Sequence, residues 1–247
     1  VTGLGPGGRL DGRVIALAGA AGSLGPHVAR ALADAGATVA LGDVSQERLG
    51  AVVQELGVHP ERVDAAPVDL LSDGGAQAWA ARLAERFGRV DGLVHAVGGW
   101  RGGRPIPQAP PEDWTLLEQL LIRTAQHTSR AFHDQLVRSE HGRFVLISAR
   151  QAVRPTATNA AYAAAKAAAE AWTYALAEGF HAAGSDATAN VVAINALVTP
   201  AMREAAPEKD FRTFTDAAEL ADAIVFVLSD VARKMNGQRI ALYDESA

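Results

Sequence analysis

Tyr162 and Lys166 stand four residues apart in "ISARQAVRPTATNAAYAAAKAAAEAW", residues 147–172. On a helix that spacing stacks them on one face, a phenol beside an ammonium. Such a pair can pass protons to and from a bound molecule, and it can equally be two side chains that a helix happens to carry. A second candidate is "AGAAGSLG", residues 18–25. Glycines between a strand and a helix let the backbone turn tightly and approach a pyrophosphate, whose charge is favoured at a helix N-terminus. The same turn also serves α/β proteins that bind nothing there. Asp43 sharpens the reading, because it ends the next apolar run about twenty residues on. A carboxylate at that point accepts hydrogen bonds from adenosine ribose hydroxyls and repels a 2′-phosphate. Neither residue 20 nor residue 21 is basic, so NAD(H) is favoured over NADP(H). The competing role for Asp43 is to cap the helix that begins at "SQERL".

These residues need elements to position them. Short apolar runs at 13–18, 38–42, 63–68, 93–97, 143–148, 190–194 and 238–242 alternate with helical patterns near 24–35, 45–56, 74–87, 112–138, 159–181 and 217–229. Strands that are apolar on both faces, separated by helices, indicate a parallel sheet between two helical layers. Gly36 follows the first helix, Asp73 and Asp216 fall where N-caps belong, and Pro111 suits a first helical turn. Pro67 cannot donate to a ladder, so the third strand belongs at an edge. The expected fold is therefore α/β: a three-layer, doubly wound Rossmann fold with a seven-stranded parallel sheet in the order 3-2-1-4-5-6-7. Residues 1–9 read as a flexible leader. With no internal repeat or linker, residues 10–247 read as a single dinucleotide-binding domain.

Composition narrows the partners. Almost half of the 247 residues are apolar, and the net charge is −5. Acids and bases are interspersed, which argues against a nucleic-acid partner. No apolar run approaches the roughly 20 residues that span a bilayer, and no basic segment leads an apolar one at the start. The expectation is a cytoplasmic protein with a small-molecule substrate and no membrane partner. There is no cysteine, which removes disulfides, thiolate metal sites and thiol chemistry together.

Taken in order, these motifs resemble the short-chain dehydrogenase/reductase family over residues 10–243. The family's glycine motif aligns with residues 18–25, implying cofactor contacts at Gly19, Ala21, Ser23, Leu24 and Gly25. Asp69, with Leu70 beside it, matches the adenine-contacting Asp after the third strand. "VHAVGG" stands where the family has Asn-Asn-Ala-Gly and supplies Ala96 and Gly98. Thr199 follows the sixth strand, and "NGQRIAL" resembles the approach to the last one. Tyr162 and Lys166 match the catalytic pair. The resemblance implies that the tyrosine exchanges a proton with a carbonyl or alcohol. The lysine lowers the tyrosine's pKa and holds the nicotinamide ribose.

The departures carry equal weight. The family's catalytic serine, thirteen residues before the tyrosine, is Ala149, and the adjacent Ser148 points to the other side of a strand. The family's structural asparagine falls on Leu121, its Pro-Gly after strand six on Ile194-Asn195, and a loop glycine on Ser23. Loss of a donor to a developing oxyanion typically costs about 10²–10³ in rate, so an ordinary ketone substrate is disfavoured. "VGGWRGG" (97–103) and "TPAMREAAPEKDFRTFT" (199–215) resemble dihydropteridine reductase and its bacterial relatives within the family, which also keep Tyr-x-x-x-Lys with alanine at the serine position. That resemblance implies reduction of a planar conjugated ring such as a quinonoid dihydropterin, where no alkoxide forms. The substrate side is then Gly99, Trp100 and Ala149, with Trp100 stacked on the ring or, alternatively, buried as a loop anchor.

Three other readings stay open: a dinucleotide-binding homologue without catalysis, a carbonyl reductase with a relocated hydroxyl, and a methyltransferase on a related sheet. Thr156, Thr158 and Asn159 are the candidates for a relocated hydroxyl, although loop and N-cap roles suit them. The seven histidines lack metal-ligand spacing, and His95 reads as a packed replacement for an Asn. The long fourth and fifth helices, the latter rich in alanine, suggest a homodimer or homotetramer.

Overall fold

The first apolar run, Val14–Ala18 (β1), is buried at every position, as a strand covered on both faces must be. The computed structural model describes residues 9–244. From β1 the chain continues through Gly25–Asp34 (α1), Thr38–Asp43 (β2), Gln46–Leu56 (α2), Val63–Pro67 (β3), Asp73–Phe87 (α3) and Gly92–His95 (β4). Helix Pro111–Leu117 (α4) passes through a π-helical turn, Glu118–Arg123, into Thr124–Arg138 (α5). Strand Arg143–Ala149 (β5), helix Ala160–Ala182 (α6) and strand Thr188–Ile194 (β6) follow. Two-residue strands Leu197–Val198 (β7) and Thr215–Asp216 (β8) flank helix Pro200–Ala205 (α7). Helix Ala217–Leu228 (α8) and strand Arg239–Ala241 (β9) close the fold.

The large sheet is parallel throughout, in the order β3-β2-β1-β4-β5-β6-β9, which is the order expected from the sequence. Its last strand is β9 because β7 and β8 pair separately, Leu197 opposite Thr215 and Val198 opposite Asp216. Pro67 sits opposite Asp43 on the edge strand β3, where its missing N–H disturbs no ladder. Helices α1, α2 and α8 contribute to one apolar core, and α3, α5 and α6 to the other. The result is three layers.

Caps explain several helix ends. Ser45 accepts from the Arg48 N–H and Gly57 closes α2 with φ +58°. Asp216 caps α8 through the Ala218 N–H. Asp73 is not a cap: Ser72 fills that position, its hydroxyl accepting from the Gly75 N–H at 3.3 Å, and Asp73 is the first helical residue. Asn159 occupies the cap position of α6 without capping it; its Oδ1 accepts from the Thr156 N–H at 2.8 Å instead. Residues 1–8 of the expected leader lie outside the described residues.

Candidate active site

The loops that follow the C-terminal ends of the strands enclose a cavity of about 930 Å³, in the place where doubly wound sheets hold ligands. Of the residues expected to bind cofactor, Gly19, Ser23, Leu24, Asp43, Asp69 and Leu70 line its first half. Ala96, Gly98, Tyr162 and Lys166 line the remainder, together with Gly99, Trp100 and Ala149 from the expected substrate side. Three expected contacts, Ala21, Gly25 and Thr199, are not among the lining residues. The Ala21 N–H donates to Asp43 Oδ2 at 3.1 Å. Gly25 opens α1, where a Cβ would lie 2.1 Å from the Ala20 carbonyl oxygen. Thr199 caps α7 by accepting from the Met202 N–H at 3.2 Å.

The loop at the head of α1 suits a dinucleotide. Gly19 has φ +83°, and a Cβ there would sit 2.8 Å from the Val97 nitrogen, so only glycine fits. The Gly22 and Gly25 N–H groups turn back onto Gly19 and Gly22 carbonyls. Among the described residues, the Ser23 and Leu24 N–H groups have no acceptor in the chain. Two free donors at a helix N-terminus are what a pyrophosphate requires. At the far end Asp43 accepts from the Ser45 N–H at 3.3 Å. Residues 20 and 21 are not basic, yet a cation does stand beside Asp43. Arg48, in the first turn of α2, holds Nη2 3.3 Å from Asp43 Oδ1 and Nη1 3.4 Å from the Ala21 carbonyl oxygen.

Tyr162 and Lys166 share a face of α6, with the ammonium 6.0 Å from the phenol ring centroid. The Tyr162 hydroxyl has no hydrogen-bond partner among the described residues. Lys166 is 6 % exposed, and its Nζ donates to the Ile147 carbonyl at 2.8 Å. Burial pushes the Lys166 amine down to about 8, opposed by the carboxylate of Glu170 one turn along α6. Burial pushes the Tyr162 phenol up to about 12. Without a ligand, burial is what holds the phenol high. At pH 7 the pair is a neutral phenol beside a charged amine.

The surroundings of the pair follow from its departures in sequence. Ala149 is buried at the end of β5 and offers no donor. The Ser148 hydroxyl is committed to Glu170 Oε1 at 2.5 Å; Glu170 Oε2 accepts from Arg239 Nε at 3.0 Å. Leu121 lies in the π-helical turn and packs beside Tyr162 and Ala165. His95 is fully buried between the Thr124 and Thr128 hydroxyls, at 3.1 and 3.0 Å. Burial, with Lys166 nearby, pushes it down to about 3, so it is a neutral packing group. Thr156, Thr158 and Asn159 do not line the cavity, so none replaces the serine hydroxyl there. Trp100 is 56 % exposed; it is no buried anchor. Sequence reasoning missed Arg48, Gln151, Met202, Lys209 and Phe214, all of which line the same space. Only Arg48 left a signal, since a first-turn residue of α2 lies close to the tip of β2. Among the described residues there is no cluster that could hold a metal, and no helix is long and apolar enough to cross a membrane.

A phosphate-ready glycine loop and a Tyr–Lys pair on one cavity define a dinucleotide-dependent oxidoreductase by class. The comparisons agree. The family model described as enoyl-(acyl carrier protein) reductase matches residues 19–242. A 3-oxoacyl-[acyl-carrier-protein] reductase of Thermotoga maritima is 28 % identical over 245 residues, covering 95 % of this chain and 97 % of that protein. A 2,3-dihydroxy-2,3-dihydro-p-cumate dehydrogenase of Pseudomonas putida is 30 % identical over 203 residues, 81 % of this chain and 77 % of that protein. In fold the chain is similar to a short chain oxidoreductase from Pseudomonas aeruginosa PAO1, described as containing an atypical catalytic center and solved with NADPH bound. The TM-score is 0.82 at 24 % identity, covering 93 % of this chain and 94 % of that one. The chain belongs to the short-chain dehydrogenase/reductase family of NAD(P)-dependent oxidoreductases.

Proposed function

We propose that this protein is an NADH-dependent reductase of a planar, conjugated ring, with a quinonoid dihydropterin as the model substrate. The observation that carries the reading is Ala149. The cavity wall beside Tyr162 and Lys166 is a methyl group where the family places a hydroxyl, so an alkoxide would develop without its second donor. A conjugated ring that gains its proton on nitrogen forms no alkoxide. The bound dinucleotide supplies the hydride. Tyr162, neutral at pH 7, donates its hydroxyl proton to the ring nitrogen. Lys166 stabilises the phenolate left behind until a proton returns from solvent. Trp100 offers an exposed indole face for the ring. The Pseudomonas putida relative is likewise named for a ring compound, a dihydroxy-dihydro-p-cumate. Asp43 favours NADH, and Arg48 reduces the margin. Four exposed alanines on α6, Ala164, Ala168, Ala171 and Ala175, suit close pairing of two copies in a homodimer or homotetramer.

The test is Tyr162→Phe, assayed with NADH and quinonoid dihydropterin. Turnover disappears while NADH affinity measured by calorimetry is retained. Unchanged turnover would refute the relay. A second reading, a dinucleotide-binding homologue without catalysis, draws on the Lys166 amine being engaged by the Ile147 carbonyl and on the high phenol pKa. It is favoured if the wild-type protein binds NADH and turns over neither quinonoid dihydropterin nor any ring ketone.

A further inference from the structure

The two ends of the cavity differ in charge. Strands β2 and β6 are four strand spacings apart in the sheet, about 19 Å. Asp43 at the tip of β2 and the excursion after β6 therefore stand at opposite ends of one space. Both lining carboxylates, Asp43 and Asp69, belong to the β2–β3 end, whereas the charged groups lining the rest are Lys166 and Lys209. Lys166 is engaged by the Ile147 carbonyl. Lys209 is not engaged by any anion: among the described residues it forms no ion pair, and the neighbouring Asp210 is taken by Arg212 at 2.7 Å.

Lys209 is also held in direction. Its Nζ lies 5.3 Å from the Phe211 ring centroid and 4.8 Å from that of Phe214, and the two rings meet edge to face at 5.1 Å. Its backbone N–H donates to the Ala206 carbonyl at 3.0 Å. Two ring faces attract an ammonium and restrict its long side chain, yet they accept none of its three N–H bonds conventionally. A cation kept in place with unspent donors, at the end of a cavity free of carboxylates, is matched to an anion.

We infer that Lys209 recognises an anionic group on the substrate, and that the preferred substrate is a planar ring bearing a carboxylate. The carboxylate meets the Lys209 ammonium while the ring lies toward Trp100. With Lys166 engaged by the Ile147 carbonyl, the single Lys209 ammonium suits the one charge of a carboxylate better than a phosphate dianion. Lys209 thus acts in specificity, by favouring acids over neutral rings of the same shape. This inference rests on the planar-ring reading proposed above.

The experiment uses the full chain saturated with NADH, with benzoate and benzamide as probes of equal shape and different charge. Dissociation constants are measured by calorimetry for the wild type, K209Q, K209R and W100A. We expect benzoate to bind the wild type about 10-fold more tightly than benzamide, the lower range for a charge-assisted contact that solvent reaches. K209Q removes that preference, K209R keeps most of it, and NADH affinity is the same in all. Equal binding of the two probes by the wild type overturns the inference. So does a K209Q effect that weakens both probes alike, or one that weakens NADH and so marks Lys209 as a cofactor contact. If W100A leaves both probes untouched while K209Q abolishes the preference, the ring reading falls and the anion site stands. If W100A weakens both probes and the wild type does not discriminate, the ring reading stands and the anion site falls. Failure of the wild type to bind either probe refutes both.

Discussion

Lys166→Met should make the cofactor-free protein more stable at neutral pH, an unusual result for a buried position. The wild-type amine is 6 % exposed, and burial pushes it from its ordinary 10.5 down to about 8. That fall corresponds to about 3 kcal/mol against the charged form. Below pH 8 the folded and unfolded chains both hold the proton, and the folded state bears the full penalty. Between pH 8 and 10.5 the folded chain releases a proton that the unfolded chain keeps, so stability rises with pH. At pH 10 about 1 kcal/mol of penalty is left. Methionine fills a similar volume without charge, and the loss of the hydrogen bond to the Ile147 carbonyl costs about 1 kcal/mol at either pH. The variant should therefore gain about 2 kcal/mol at pH 7 and almost nothing at pH 10. Urea denaturation of both proteins at both pH values measures this, and taking the difference cancels the titrating groups that do not interact with Lys166. A variant less stable than wild type at pH 7, or a gap of the same size at pH 7 and pH 10, refutes the desolvation argument. Such a penalty at a functional group is the usual cost of activity to stability.

Other perturbations follow from the same geometry. Arg48→Ala leaves the Asp43 carboxylate without its cation and should raise the preference for NADH over NADPH by about 10-fold or more; titration of each dinucleotide reads it, and an unchanged ratio removes Arg48 from cofactor choice. Ala149→Ser restores a donor beside Tyr162 and should raise ring-ketone reduction by about 10²-fold, with little change for quinonoid dihydropterin; a parallel gain on both would show that the hydroxyl serves some other step. Glu170→Ala strips the buried partner from Ser148 and Arg239, and should destabilise the fold by about 3–5 kcal/mol, seen as a lower urea midpoint; a loss below 1 kcal/mol would mean that water replaces the carboxylate.

Much of this was legible because the signals were local or periodic. Each of the seven large-sheet strands overlaps an apolar run, and Pro67 placed β3 at its edge. The Ala18–Gly25 turn and the Tyr162–Lys166 pair needed only neighbours in sequence, and they meet at one cavity. What escaped depends on distant partners. Strands β7 and β8 are two residues each, too short for any period, and exist because segments eighteen residues apart pair. The π-helical turn at Glu118–Arg123 repeats the same apolar pattern as an α-helix. The placement of Arg48 beside Asp43 depends on how far a guanidinium reaches from the next helix. The pKa values of Tyr162 and Lys166 depend on burial, which only the packed layers create.

The short β7–β8 ladder has an evolutionary corollary. It ties together both feet of the 199–214 excursion, so the span between them is anchored at its base by a ladder separate from that of the main sheet. Met202, Lys209 and Phe214 line the cavity from this span, outside the strands that carry the glycine turn and outside α6. On the role proposed for Lys209, a new preference for small molecules is most simply acquired by rewriting that one span.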